Sequence, residues 1–192
     1  MDYEEEELIK LAKEGDKVAF SKLIRKYQSL VFNLLYRLIP DEFDINDIAQ
    51  DIWIKVYQSI ANFKINSSFK TWLNKIAINT YYDKLRKKRY KEEVSIDEED
   101  EEGNKIFDIP DSRLIPEDII LDNEWQNFLE DKIKSLPEIY KVIIIMREFQ
   151  NLSYEEISNV MNISIGTVKS RLARAREMLI KELSEYFKEL KK

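Results

Sequence analysis

The side chains best placed for chemistry lie near the carboxyl end of the chain, in the segment ISIGTVKSRLARAREML at 163–179. Apolar residues recur there at helical spacing, which predicts a helix with one buried side formed by Ile165, Val168, Leu172, Ala175 and Leu179. The other side, the basic face, consists of Gly166, Thr167, Lys169, Ser170, Arg171, Ala173 and Arg174. Its cations and hydroxyls can donate to phosphates or base edges, and its small residues permit close approach.

The residues before this helix indicate a helix-turn-helix. Ser153 and Glu156 have the spacing of a capping box and predict a helix over 154–161. A turn of about three residues then leads to the helix that carries the basic face. In such a unit the second helix lies in the DNA major groove, with its first residues at the base edges. The alternative is an ordinary bundle helix with a basic side.

A second candidate surface, the mixed stripe, follows one face of the predicted helix within 69–91. Its members are Trp72, Lys75, Asn79, Tyr82 and Arg86, and Leu73, Ile76 and Thr80 mark the opposite, buried face. The helix ends in KLRKKRYK, which includes Lys87 and Arg89. Aromatic rings that stack on bases and cations that follow the backbone suit unpaired DNA. The alternative is that Trp72 and Tyr82 are half-buried core aromatics and that the basic end complements the helix dipole.

A third candidate surface, the acidic face, lies on the predicted helix 45–60. Its members are Asp47, Gln50, Asp51, Ile54 and Gln58, and the inward side is formed by Ile48, Ile52, Val56 and Ile60. Acids around an exposed isoleucine form a candidate protein-docking patch. An ordinary solvated helix face is the alternative.

Composition narrows the chemistry further. The 192 residues include no histidine and no cysteine, which removes the commonest general base, thiol nucleophiles and zinc-thiolate sites. Three glycines are too few for a P-loop or a dinucleotide fingerprint. The acidic start MDYEEEE does not resemble a signal peptide, and no apolar run reaches membrane-spanning length. We therefore expect a cytoplasmic protein that is not an enzyme, holds no cofactor or metal and does not insert into a membrane.

Element patterns and charge predict the domain organisation. Four prolines, three glycines and long helical periods indicate an all-α protein. Residues 1–91 contain 17 basic residues (Lys and Arg) and 13 acidic ones (Asp and Glu), and residues 132–192 contain 12 basic and 8 acidic. Between them, residues 92–131 contain only 2 basic residues and 16 acidic ones. Ordinary charged surface is one explanation of this asymmetry, and nucleic-acid-binding modules joined by a solvated linker are another. We predict two small helical domains, at 5–91 and 118–190, joined by an acidic flexible linker at 92–117.

Three blocks in this order resemble bacterial RNA polymerase sigma factors of the extracytoplasmic-function (ECF) group. They read DINDIAQDIWIKVYQSIANFK, SSFKTWLNKIAINTYYDKLRKKRY and LPEIYKVIIIMREFQNLSYEEISNVMNISIGTVKSRLARAREML. The resemblance implies a sigma-2 domain at 5–91 and a sigma-4 domain at 118–190. It implies core RNA polymerase, through its β′ clamp and β flap, and promoter DNA as partners. An anti-sigma protein is a further candidate partner.

The resemblance also assigns roles to the three surfaces. Asp47, Gln50 and Asp51, with Ile54 beside them, match the helix that docks on the β′ clamp coiled coil. The residues that match the part opening the −10 element are Asn66, Ser67, Ser68, the mixed stripe, Lys87 and Arg89. The basic face matches the −35 recognition helix. Asn151 and Asn162 stand where the family often has glycine, and because asparagine tolerates the left-handed conformation we expect the geometry to persist.

We therefore predict a sigma factor that binds duplex −35 DNA and holds melted −10 DNA. The alternative is a helix-turn-helix regulator that binds an operator without polymerase, which leaves the mixed stripe and the acidic face unused. A nucleic-acid-processing enzyme is a third class, and the sequence offers no clear carboxylate metal cluster for it. We also hypothesise that the acidic linker competes with nucleic acid and suppresses DNA binding by the free protein.

Overall fold

A computed structural model describes residues 3–39, 43–64, 68–94 and 127–189, and every regular element in these ranges is helical. The all-α prediction is confirmed. The helices are α1 (Tyr3–Lys13), α2 (Lys17–Leu38), α3 (Phe43–Ser59), α4 (Phe69–Val94), α5 (127–135), α6 (Glu138–Ile144), α7 (Tyr154–Met161) and α8 (Ile165–Glu189). A 3₁₀ turn, Ile60–Asn62, follows α3, and a π-helical turn, Ile145–Phe149, continues α6.

The first unit, α1 to α4, is organised around α2. Gly15 has φ +94°, and Asp16 then caps α2 by accepting hydrogen bonds from the backbone N–H of Val18 at 2.7 Å and of Ala19 at 3.0 Å. α2 packs against α1 and α3 and buries its leucines. The predicted inward side of α3 is buried as expected: Ile48, Ile52, Val56 and Ile60.

Aromatic packing places the start of α4. The ring of Phe69 lies 5.7 Å from that of Phe63 and 5.1 Å from that of Tyr27, and both phenylalanines are buried. α4 continues to Val94, beyond the predicted start of the linker at residue 92, because glutamates at 92 and 93 are good helix formers. The linker from 95 onward, and the hypothesis about it, lie outside the described residues.

The second unit, α5 to α8, encloses its own core. α6 and α7 both pack on α8, where Val168, Leu172, Ala175 and Leu179 are buried as predicted. Ile165 is the exception, with 39% of its surface exposed. It is the first residue of α8, at the turn, so its side chain projects beyond the part of the helix that α6 and α7 cover.

Two asparagines make the turns of this unit possible. Asn151 and Asn162 both have φ +52°, in the left-handed region. Asn162 ends α7, and the next residue, Ile163, donates its N–H to the carbonyl of Ser158 at 3.2 Å. The Ser158 hydroxyl donates to the carbonyl of Ile163 at 2.6 Å. The expectation that asparagine preserves the turn geometry is confirmed.

The two units pack directly on each other. α4 contacts α7, and α2 contacts the π-helical turn, so that the buried side chains of both units form one cluster. Arg37 of α2 pairs with Glu130 of α5 at 3.0 Å and lies 4.1 Å over the ring of Phe149. Among the described helices, none has the length and apolar character needed to cross a bilayer.

We predict that replacing Asn162 by alanine lowers the free energy of unfolding by about 1 kcal/mol, because a β-carbon disfavours the left-handed conformation. Asn162→Gly should leave stability unchanged or raise it, since glycine adopts this φ freely. Urea unfolding of the three proteins measures the difference. Asn159→Ala, an exposed position within α7, is the control, and equal losses at 159 and 162 would contradict the prediction.

Candidate nucleic-acid interface

A serine cap fixes the start of α8 and the position of the basic face. The hydroxyl of Ser164 accepts the N–H of Thr167 at 3.1 Å, and the two hydroxyls lie 2.9 Å apart. Thr167 is half-buried and its hydroxyl is already bonded within the cap. Ser164 was not among the predicted site residues, although a serine directly before an apolar helical pattern is a visible N-cap signal.

The remaining basic face is open to solvent. Gly166, Lys169, Ser170, Ala173 and Arg174 are exposed, while Arg171 is half-buried. A β-carbon on Gly166 would meet only the Ser164 hydroxyl, at 3.7 Å, so the absence of a side chain serves the outer surface rather than internal packing.

The exposed arginine of the basic face has an acidic partner. Arg174 Nη1 donates to Glu177 Oε2 at 2.6 Å, and this hydrogen bond raises the pKa of Arg174 above its usual value. Both side chains are well exposed, so the pair is weak and a phosphate can replace the carboxylate.

The mixed stripe divides into exposed polar groups and half-buried rings. Lys75, Asn79 and Arg86 are exposed. Trp72 is half-buried, with its ring 5.0 Å from that of Phe63 and 5.5 Å from that of Phe69, and Tyr82 is also half-buried against the core. For these two rings the structure favours the alternative of half-buried core aromatics, which leaves only their outer edges accessible.

The other residues predicted at the −10 surface differ in position. Lys87 is exposed, while Asn66, Ser67 and the side chain of Arg89 lie outside the described residues. Ser68 caps α4, because its hydroxyl accepts the N–H of Thr71 at 3.1 Å.

An acid unnoticed in the sequence analysis lies among these cations. Asp83 pairs with Arg86 and, at 3.0 Å, with Lys55 of α3. The hydrogen bond from Lys55 lowers the pKa of Asp83, partial burial opposes that shift, and the bond from Arg86 reinforces it. The i, i+3 spacing of Asp83 and Arg86 was the available signal.

The acidic face of α3 is exposed as predicted at Asp47, Gln50 and Ile54. Asp51 is half-buried and pairs with Lys84 of α4 at 2.7 Å. Tyr57 extends this face, since 45% of its surface is exposed. It follows Ile54 by three residues, a spacing from which the sequence analysis could have identified it.

The mixed stripe borders the contact between the two units. A cleft of about 530 Å³ lies between Trp72 and Lys75 of α4 and the segment 158–164 of the helix-turn-helix. Burial raises the pKa of Tyr82 to about 12, Glu138 adds to the rise and Arg171 opposes it. A tyrosine of the mixed stripe therefore lies in the electrostatic field of an arginine of the basic face.

Two hydrogen bonds from hydroxyls to carboxylates join α4 to the second unit. The Thr71 hydroxyl donates to Glu156 Oε1 at 2.6 Å, and the Tyr81 phenol donates to Glu138 Oε1 at 2.5 Å. Glu156 also closes the predicted capping box, because its Oε2 accepts the N–H of Ser153 at 2.8 Å. Sequence reasoning missed these two contacts, and no local pattern reveals them, since Thr71 and Glu156 are 85 residues apart.

Comparison with known proteins identifies both units. The family described as Sigma-70 region 2 matches residues 23–90, and Sigma-70, region 4 matches residues 129–179. The ECF RNA polymerase sigma factor SigW of Bacillus subtilis is 35% identical over 92% of this chain and 95% of its own length. The ECF RNA polymerase sigma-E factor of Escherichia coli K12 is 36% identical over 90% of each chain.

Solved structures share the fold. CnrH, in complex with the cytosolic domain of CnrY, matches with a TM-score of 0.67 at 17% identity, over 95% of this chain and 98% of its own. The sigma factor RpoE of Bartonella quintana, in complex with the anti-sigma factor NepR, matches with a TM-score of 0.66 at 23% identity, over 86% and 96%.

The chain therefore belongs to the ECF group of the sigma-70 family. It is a sigma factor, a transcription initiation factor that binds RNA polymerase and promoter DNA and gives the polymerase its promoter recognition. The relatives support this function over that of an operator-binding regulator independent of polymerase.

The carboxylate of Glu156 gives stability a defined pH dependence. Burial alone would raise its pKa, but hydrogen bonds from Thr71 and Ser153 hold the pKa below the ordinary value of 4.5. A carboxylate with a depressed pKa in the folded state stabilises above its ordinary pKa, and this stability is lost as pH falls through the folded-state pKa.

We predict that Glu156→Gln lowers the unfolding free energy most above pH 4.5, and that its difference from wild type shrinks as pH falls further. Glutamine keeps the capping box, so the variant isolates the charge. Denaturant unfolding between about pH 3 and pH 7, a range that spans the titration of a glutamate, measures the difference. Glu155→Gln, an exposed carboxylate of the same turn, is the control, and a difference at position 156 that is constant with pH would contradict the prediction.

Proposed function

We propose that the basic face reads the −35 duplex. The observation that carries this is the helix-turn-helix itself, in which the left-handed turn at Asn162 and the Ser164 cap present an exposed face without acids before Glu177. Lys169 and Arg174 serve the phosphates, and Ser170 reaches towards base edges. Gly166 and Ala173 keep the surface low enough to enter the major groove. Thr167 and Arg171 are half-buried at the border of the basic face and contribute there to DNA binding.

We propose that α4 holds one strand of the melted −10 element. Lys75 and Arg86 follow the backbone with Lys87 and Arg89, and Asn79 supplies hydrogen bonds to an unpaired base. Trp72 and Tyr82 offer ring edges at the border of the core. Ser68 contributes by capping α4, and the loop residues Asn66 and Ser67 stay predicted contacts.

The acidic face is the proposed polymerase-docking surface. Asp47, Gln50 and Ile54 are exposed on α3, with Asp51 half-buried beside them. In this proposal they contact the β′ clamp coiled coil. The sigma-4 domain, assigned to 118–190, takes the β flap, and the sigma-2 domain, assigned to 5–91, carries the clamp contact. The protein carries out no reaction itself and acts with the polymerase in the cytoplasm. An anti-sigma partner stays a prediction.

Reconstituted transcription tests this function. Bacterial core polymerase on fragmented genomic DNA should produce new transcript starts only when the protein is added, and sequencing those starts should reveal two shared upstream elements. The elements should lie about one and a half helical turns apart, roughly 50 Å. Specific duplex binding by the free protein without new starts would instead identify an operator-binding regulator.

Substitutions should separate the two DNA contacts. With polymerase present, Arg174→Ala should weaken binding to the −35 duplex and reduce the log–log salt slope by about 0.9 for one lost phosphate contact. Arg176→Ala is the matched control, because this exposed arginine of the same helix is already paired with Glu148 of the π-helical turn, at 2.6 Å.

Asn79→Ala should produce the opposite pattern, with normal duplex binding and slower strand opening, measured by permanganate reactivity of unpaired thymines. Asn33→Ala, an exposed asparagine on α2, is its control. Loss of both steps in either variant would show a structural defect rather than a specific contact.

A further inference from the structure

We propose that the cleft between α4 and the helix-turn-helix is a binding site for a nucleoside monophosphate, a ligand that joins one aromatic base to one phosphate. The site takes a free small molecule, so neither polymerase nor promoter DNA is needed for binding. It is therefore a function beyond the promoter contacts proposed above.

The cleft has the position and size of a small-molecule site. Its volume is about 530 Å³, and its two walls belong to different units, with Trp72 and Lys75 on α4 and Asn159, Asn162 and Ser164 in the helix-turn-helix. Small-molecule sites usually enclose about 300 to 1,000 Å³ and lie preferentially between domains. A ligand of nucleotide size therefore fits between the walls.

The charge of the cleft favours an anion. Lys75 is exposed, and among the described residues that line the cleft it is the one cation, with no acid beside it. Glu156 is not part of the lining, and both oxygens of its carboxylate already accept hydrogen bonds, from Thr71 and Ser153. Charge-assisted hydrogen bonds from an ammonium group to a phosphate are about twice as strong as neutral ones. Lys75 is therefore the phosphate-binding residue of the site.

Two asparagines supply the groups that recognise a base. The side-chain amides of Asn159 and Asn162 make no hydrogen bond to other described residues. Each amide carries an acceptor and two N–H donors, and the edges of nucleobases carry donors and acceptors side by side. Asparagine pairs in this bidentate way with the N6 and N7 atoms of adenine. This wall of the cleft therefore suits the base rather than the phosphate.

Both walls are fixed before a ligand binds. Asn162 is held in the left-handed conformation at φ +52°, and across the same turn the Ser158 hydroxyl donates to the carbonyl of Ile163 at 2.6 Å. On the other wall, the ring of Trp72 packs 5.0 Å from that of Phe63 and leaves an outer edge accessible. An aromatic edge packs favourably against the face of a second ring, and fixed walls lower the ordering cost of binding.

Calorimetric titration of the full-length free protein tests the site. The probes are AMP, GMP, CMP and UMP, and the two halves of each ligand are ribose 5-phosphate and the matching nucleoside. We expect saturable binding of at least one nucleotide, and binding of each half about tenfold weaker or more, because each half lacks one set of hydrogen bonds. Absence of saturable binding by all four nucleotides would overturn the inference. Equal affinity for ribose 5-phosphate would also overturn it, since the cleft would then bind only an anion.

Substitutions on the two walls locate the ligand. Lys75→Ala should weaken nucleotide binding about tenfold, and Asn159→Ala about threefold to tenfold, because a hydrogen bond to a charged group contributes more than a neutral one. The matched controls are Lys88→Ala and Asn33→Ala, which remove the same chemical groups from exposed positions outside the cleft. Both controls should bind the nucleotide as wild type does, and an equal loss in the controls would contradict the inference.

Asn79 distinguishes this cleft from the rest of the mixed stripe. It is exposed on the same helix but lies beside Tyr82 in a different hollow. We expect Asn79→Ala to keep the nucleotide affinity of wild type. Weaker binding in Asn79→Ala together with unchanged binding in Asn159→Ala would place the nucleotide on the mixed stripe alone and overturn the inference.

A spectroscopic readout on wild type does not depend on the folding of any binding variant. The chain contains three tryptophans, and the indole N–H signal of Trp72 in a ¹H–¹⁵N spectrum is identified by its absence in Trp72→Phe. This signal should shift on addition of the nucleotide, while that of Trp53, which does not line the cleft, should stay in place. An unshifted Trp72 signal at saturating nucleotide would overturn the inference.

Discussion

The hydrogen bond between Thr71 and Glu156 joins the starts of two helices that belong to different units. Glu156 Oε2 completes the capping box that starts α7, and Glu156 Oε1 accepts the hydroxyl of Thr71 on α4. The Thr71 hydroxyl is also in contact with the hydroxyl of Ser68, which caps α4. The starts of α4 and α7 are therefore defined by one connected set of hydrogen bonds. Burial alone would raise the pKa of Glu156, and the hydrogen bonds from these donors hold it below its ordinary value. The orientation of the helix-turn-helix towards α4 follows from them.

Exposed cations of the two proposed DNA surfaces are paired with acids on their own helices. Although the chain is acidic overall, with a net charge of −6, cations gather on α4 and α8. Arg86 and Arg174 each pair with an acid three residues away on the same helix, and both arginines are exposed. Exposed pairs of this kind contribute little to stability, so exchanging a carboxylate for a phosphate costs little. These acids therefore neutralise one exposed arginine on each proposed DNA surface.

The features predicted from sequence were those decided by neighbours in the chain. Helical spacing gave the buried sides of α3 and most of α8, the capping box at Ser153 was visible as a motif, and asparagine explained the turn at Asn162. Ile165 was misplaced because periodicity does not show where packing partners end. The contact between Thr71 and Glu156 depends on how two units dock, and neither helix contains a local signal for that. Resemblance to a family, rather than residue spacing, joined the three surfaces into one function.

α4 shows why the mixed stripe was difficult to interpret. One face of α4 is buried in the first unit at Leu73 and Ala77, and another contacts the second unit through Thr71 and Tyr81. A third face, which includes Asn79, is exposed to solvent. With three surfaces around one axis, residues at the borders are half-buried whatever their role, which is the situation of Trp72 and Tyr82. The same helix is tied to α3 by the pairs Asp51–Lys84 and Lys55–Asp83. Asp51 belongs to the acidic face and Asp83 pairs with Arg86 of the mixed stripe, so these ion pairs directly join the two helices that carry the two surfaces.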